Sequence, residues 1–108
     1  MKEQLREFGF SEKEVAVYMA LLGFTSAVAS DVAKKAKVNR STTYVVLESL
    51  LERGLAGAVE RRGVRIYKVT SPEKLVEYLA GTAKRYEHLA ANAKKLMPEL
   101  KAMYRPEE

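Results

Sequence analysis

From Leu75 onward the chain carries Leu75, Leu79, Thr82, Tyr86, Leu89, Ala93, Leu96, Leu100 and Met103, separated alternately by four and three residues. At 3.6 residues per turn, this spacing sets the side chains on one narrow stripe, the a/d seam of a coiled coil. A helix long enough to hold about four heptads reaches roughly 45–50 Å. A small preceding domain is shorter than that, so the stripe needs another partner. The spacing predicts self-association through Leu75, Leu79, Tyr86, Leu89, Ala93, Leu96 and Leu100. The competing arrangement is a helix folded back on its own domain. Ser71-Pro72-Glu73 marks the start, with a capping Ser, a Pro at the first helical position and an acid near the positive helix end. Pro98 lacks an N–H and is expected to kink or break the helix near Lys94.

The 108 residues divide on this reading into a folded module over 1–71 and a long helix over 72–108. A hydrophobic share of 47% is that of a globular chain. The absence of Cys excludes disulfide and thiolate chemistry. No apolar run approaches the roughly 20 residues of a membrane-spanning helix, and MKEQLREFGF lacks the apolar stretch of a signal peptide. A cytoplasmic protein without a membrane partner is expected.

Within the module, residues 2–8 read as a short helix closed by Gly9. Ser11 and Glu14 form a capping box, with Phe10 and Val15 placed as a hydrophobic staple. The helix that follows sets Val15, Tyr18, Met19 and Leu22 on one face and stops at Gly23. ASDVAKKAKV is a second, smaller helix with Val32, Ala33 and Ala36 inward. Asn39 is a good N-cap for a third over 39–53. Two helices joined by so short a turn cross steeply, as in a helix-turn-helix. Beyond Gly54 the apolar period shortens to that of strands, and Arg61-Arg62-Gly63 divides two of them into a hairpin. The fold expected is mainly α with a small β-hairpin, a winged helix-turn-helix followed by a long carboxy-terminal dimerisation helix.

The net charge of +5 is unevenly placed. Residues 29–68 hold 9 basic against 4 acidic side chains, while 1–28 hold 3 against 4 and 69–108 hold 7 against 6. The whole excess therefore lies in the middle segment, which favours a polyanion. The third helix there has an apolar second half but a first turn of small hydrogen-bonding groups around one guanidinium. Such a tip suits the major groove, where an Arg pairs bidentately with guanine. Asn39, Arg40, Ser41, Thr42 and Tyr44 are the candidate DNA contacts, Arg40 being the base reader, while Thr43 falls in phase with Val46, Leu47 and Leu50 and faces inward. The wing over 57–69 offers Arg61, Arg62, Arg65 and Lys68 to backbone or minor groove. Lys34, Lys35 and Lys37 suit either phosphates or solvent.

FGFSEKEVAVYMALLG, the Ala-rich helix, NRSTTYVVLESLLERGLA, the IYKV strand and SPEKL together resemble the TrmB-like winged-helix transcription regulators common in archaea. The resemblance covers about residues 8–80. It implies a dimeric DNA-binding regulator, with recognition residues at Arg40, Ser41, Thr42 and Tyr44 and wing residues at Arg61, Arg62 and Arg65. Many members carry a large sugar-binding effector domain. Because the chain ends after its long helix, a short form without that domain is expected, its effector unspecified. Where members often have a second basic residue, this chain has Thr42.

Enzymatic function is not expected. His88 is the only histidine and falls on the outer face of the long helix. Without Cys or a second His there is no zinc ligand set, and no glycine-rich phosphate loop is present. Neither a metal nor another cofactor is expected. The function read from the sequence is that of a homodimeric, sequence-specific regulator of double-stranded DNA. The alternatives are a winged-helix protein-interaction module of the transcription machinery and a sequence-neutral chromatin protein.

Overall fold

The computed structural model describes residues 1–107. Five helices and three strands follow in the order α1 (Lys2–Glu7), α2 (Glu12–Leu22), β1 (Ala27–Val28), α3 (Ala29–Ala36), α4 (Arg40–Glu52), β2 (Ala56–Arg61), β3 (Val64–Val69) and α5 (Glu73–Met103). The chain separates into two compact units, Met1–Tyr78 and Leu79–Glu108. The first is a winged helix, mainly α-helical with one small antiparallel sheet.

The capping box at α2 is formed as its residues dictate. Ser11 Oγ accepts the Glu14 N–H at 3.1 Å, and Glu14 Oε1 accepts the Ser11 N–H at 2.8 Å. The buried face of α2 is displaced from the one its spacing suggests. Val17 and Leu21 are fully enclosed, whereas Leu22 is 40% exposed. The reason is tertiary: α2 packs against α1, α3, α4 and β3, so neighbours on several sides need more than a single stripe.

The hairpin closes in two residues, Arg61 pairing with Val64. Both turn residues have positive φ, Arg62 at 53° and Gly63 at 76°, the conformation that matches the right-handed twist of the strands. A third strand escapes the sequence pattern. β1 has two residues, too few to show alternation, and pairs Ala27 with Tyr67 and Val28 with Ile66. It makes β3 the central strand, in the order β1-β3-β2.

Leu21, Leu47, Leu50, Leu55, Val17, Val32, Tyr67 and Thr43 are less than 2% exposed and form the centre of this unit. Each large apolar side chain enclosed there contributes roughly 1.5–3 kcal/mol. Thr43 is inward, as its phase demands, and donates its hydroxyl to the Val38 carbonyl at 3.4 Å.

In α5 two expectations change. Leu75, assigned to the seam by spacing, packs with Tyr78 against the core of the first unit. The helix also does not break at Pro98, which lies inside one continuous element. One proline removes one backbone bond and opposes one carbonyl, and good helix formers on both sides carry the helix through. None of the described residues of α5 is fully buried, and Tyr86, Leu89, Leu96, Leu100 and Met103 lie exposed.

Candidate nucleic-acid interface

The amino-terminal turn of α4 is built by its own cap. Asn39 Oδ1 accepts the Thr42 N–H at 2.8 Å and the Ser41 hydroxyl at 3.1 Å, so the Asn39 and Ser41 side chains and the Thr42 backbone amide order the turn before any ligand arrives. Arg40, Ser41 and Tyr44 are exposed, as is Val45, which sequence reasoning left out. The four open onto a groove of about 840 Å³, bounded across from them by the start of α3 (Ala29, Ser30) and by Gly63 and Val64 of the wing. A helix N-terminus, the arginines Arg40 and Arg65 and two apolar surfaces therefore face one concave space. Helix N-termini carry partial positive charge and free N–H groups, which favours anions.

The wing arginines divide by strand alternation. Arg61 pairs with Val64, Val59 with Ile66 and Gly57 with Lys68, so Arg61 and Lys68 share one face with Val59 and Ile66, next to Thr25 and Ser26. Arg62 caps the turn. All three cations are exposed, and among the described residues none lies within ion-pair distance of a carboxylate.

Arg65 falls on the opposite face, with Tyr67, and its guanidinium is engaged. It donates from Nε to Glu48 Oε2 at 2.7 Å and from Nη2 to Glu48 Oε1 at 3.0 Å, and a second carboxylate, Glu60, stands 3.9 Å away. The Tyr67 hydroxyl donates to the same Glu48 oxygen at 2.5 Å. Arg65 thus ties β3 to α4 and is not offered outward beside Arg61 and Arg62. The Arg65 bond, then the Tyr67 bond, holds the Glu48 carboxyl below its ordinary range. Glu48 in turn raises Arg65 further. Burial, then the Glu48 bond, pushes Tyr67 up to about 12.

Glu48 was not singled out from the sequence, yet a signal existed. Arg65, Tyr67 and Val69 alternate on one strand face, and a cation on the inward face of a hairpin needs a carboxylate from the helix beneath it. At its other end α4 is held by Arg53. Its Nη2 lies 2.9 Å from Glu14 Oε2, and its guanidinium stands 5.1 Å from the Phe10 ring and 5.7 Å from that of Tyr78. Glu14 therefore serves both the α2 cap and this link. The helix is fixed along its length by Glu48 and Arg53, with its first turn left open.

The family described as "Sugar-specific transcriptional regulator TrmB" matches the chain over residues 5–73. The HTH-type sugar sensing transcriptional regulator TrmBL1 of Pyrococcus furiosus is 28% identical over 103 residues, 95% of this chain and 28% of that relative. The chain thus spans little more than a quarter of that protein's length. Among solved structures, TrmBL2, described as an archaeal chromatin protein with a novel mode of DNA binding, aligns with a TM-score of 0.77 at 25% identity, over 100% of this chain and 43% of that one. The ST1889 protein of the thermoacidophilic archaeon Sulfolobus tokodaii aligns with a TM-score of 0.63 at 25% identity, over 82% of this chain and 93% of that one.

Proposed function

The chain belongs to the TrmB family, and from that premise we propose that it is a sequence-specific, double-stranded DNA-binding transcription regulator acting as a homodimer. The observation that carries this reading is the open first turn of α4, where Arg40, Ser41 and Tyr44 stand exposed on a helix otherwise anchored by Glu48 and Arg53. In the major groove Arg40 reads a base edge, while Ser41 and Tyr44 bond phosphates or base edges. Asn39 and Thr42 act chiefly by shaping the turn, since the cap occupies Asn39 Oδ1 and the Thr42 N–H. Arg61, Arg62 and Lys68 grip the backbone or minor groove, and Arg65 sets the pose of the wing. With two recognition helices about one duplex turn apart (~34 Å), the operator is a near-palindrome.

The description of TrmBL2 as a chromatin protein favours a second reading, sequence-neutral DNA packing. One titration separates the two: fluorescence anisotropy against a random-duplex pool and its selected winners, at several salt concentrations. The regulator reading expects a selected site bound at least about 10³-fold tighter than random DNA. Arg40→Ala then flattens that preference at a cost of about 1–3 kcal/mol. Arg61→Ala/Arg62→Ala weakens all sequences alike and lowers the salt slope by up to about two units. Strong, salt-dependent binding with no preferred site establishes packing instead. Dissociation constants weaker than about 10⁻⁴ M near physiological salt end both readings and leave the basic segment as a surface for another protein.

A further inference from the structure

The stripe on α5 that remains free after Leu75 has packed on the first unit runs from Leu79 to Met103, and its midpoint is Ala91. We propose that this stripe pairs with the same stripe of a second copy of the chain in antiparallel orientation, about a two-fold axis at Ala91. The proposal deepens the homodimer reading and rests on it.

The orientation follows from what flanks the seam. With Leu79, Tyr86, Ala93 and Leu100 at a and Thr82, Leu89, Leu96 and Met103 at d, one shoulder of the stripe (position e) is Ala83, Ala90, Met97 and Tyr104. The other (position g) is Arg85, Asn92 and Glu99. In an antiparallel pair a faces d, e faces e and g faces g. About Ala91 every core residue then finds a partner: Leu79 meets Met103, Thr82 meets Leu100, Tyr86 meets Leu96, and Leu89 meets Ala93, each of them twice. In three of the four pairs a leucine opposes a small or linear side chain (Met103, Thr82 or Ala93), and Tyr86 opposes Leu96, a mixture of sizes that close packing can accommodate. On the polar shoulder Arg85 meets Glu99 of the second copy twice, and Asn92 meets its own equivalent. The apolar shoulder sets Ala90 on Ala90 and Ala83 on Met97, so the covered face is three positions wide.

A parallel pair in register opposes g of one helix to e of the other. Arg85 then faces Ala90, Asn92 faces Met97 and Glu99 faces Tyr104, with no ion pair and all three polar groups set against apolar or aromatic ones. Moving the antiparallel axis by half a heptad in either direction separates Arg85 from Glu99 and leaves one end of the stripe uncovered. Arg85 already leans on the seam, its guanidinium 5.7 Å from the Tyr86 ring centroid. Pro98 falls at the outermost position, where the carbonyl it deprives, that of Lys94, faces solvent and not the partner. In this arrangement the two Leu79 positions, where the chains leave the stem, lie about 36 Å apart.

The chain has no cysteine, so single cysteines report the pairing directly. Thr82→Cys and Leu100→Cys lie outside the core of the first unit and leave its folding unaffected. The two variants, one carrying a size tag, are mixed, allowed to exchange subunits and oxidised. The antiparallel pair gives the 82–100 disulfide in the mixture and only background dimer from either variant alone. A parallel pair gives the reverse, each variant linking to itself, and overturns the orientation while the homodimer stands. A wild-type chain that sediments as a monomer at all accessible concentrations overturns the homodimer reading together with the pairing. Charge reversal supplies an independent readout. Arg85→Glu and Glu99→Arg each weaken the dimer about two- to thirtyfold, as loss of two exposed ion pairs implies, and the double variant restores it. Additive weakening in the double variant contradicts the proposed register.

Discussion

Residues 1–78 and residues 79–103 both carry apolar side chains at helical spacing, and they use them in opposite ways. In the first region such residues close on one another: Val17, Leu21, Leu47 and Leu50 are below 2% exposed. In the second, Tyr86, Leu89, Leu96 and Leu100 stand about half exposed. Helix propensity is adequate in both, so the difference lies in the number of neighbours. α2 is surrounded by α1, α3, α4 and β3, whereas among the described residues of α5 none is buried. A narrow stripe repeated without drift marks a helix built to meet another helix, and a broad irregular face marks one enclosed by its own domain.

The sharpest way to break this comparison is to truncate one leucine in each region. Leu47→Ala is expected to lower the stability of the first unit by about 2–5 kcal/mol, the range for an enclosed leucine whose cavity relaxes only in part. Leu96→Ala is expected to leave the unfolding of that unit unchanged. Denaturant unfolding followed by near-ultraviolet signals of Tyr18 and Tyr67 checks both, and a comparable loss from Leu96→Ala would refute the division.

A second, smaller effect tests the other half of the comparison. Leu96→Glu places a charge in the seam of each chain and removes two buried leucines from a dimer. With roughly 1.5 kcal/mol or more per leucine, its dissociation constant is expected to rise about a hundredfold or more, read by sedimentation equilibrium. The first unit keeps its fold and its weak contact with random DNA, so loss of both functions together would place α5 inside the domain.

The same contrast explains what was legible in the sequence. The capping box at Ser11, the Asn39 cap and the inward Thr43 depend on local chemistry at fixed offsets and stand where their residues set them. So does the hairpin, except that Arg61, read as part of its turn, pairs with Val64 and leaves only Arg62 and Gly63 to close it. The enclosed Val17 and Leu21, the two-residue strand β1 and the packing of Leu75 depend on contacts between segments distant in the chain, and no local period encodes them. The candidate site divides likewise. The exposed tip of α4 reads directly from its composition. The capture of Arg65 by Glu48 joins residues on different elements, and only the alternation of Arg65 with Tyr67 hints at it. A cluster of positive charge in sequence is therefore a weaker guide to a binding face than the strand face each cation occupies.

The smallest effect expected concerns that capture, and it sharpens the comparison within the wing itself, between cations left open and one held. Glu48→Gln removes the carboxylate that binds Arg65 and releases its guanidinium into the groove it lines with Arg40 and Ser41, on the face opposite Arg61. Non-specific DNA binding then gains at most one phosphate contact, and the salt slope steepens by up to about 0.9. Preference for a selected site falls, because the wing is no longer fixed to α4. The pH dependence of stability tests the same bonds without DNA. The folded-state pKa of Glu48 is depressed, so its contribution is present above the ordinary carboxylate range and is lost as pH falls through the lowered value. Wild type and Glu48→Gln should therefore differ in unfolding midpoint at neutral pH and converge in acid. The folded-state pKa of Tyr67 is raised to about 12, so its contribution is present below its ordinary value near 10 and is lost as pH rises through about 12. Burial is the larger cause of that shift, so the alkaline fall should persist in both proteins. Curves that stay parallel into acid would mean that Glu48 holds Arg65 with no stabilising effect, and that the wing keeps its pose through β1 and the sheet alone.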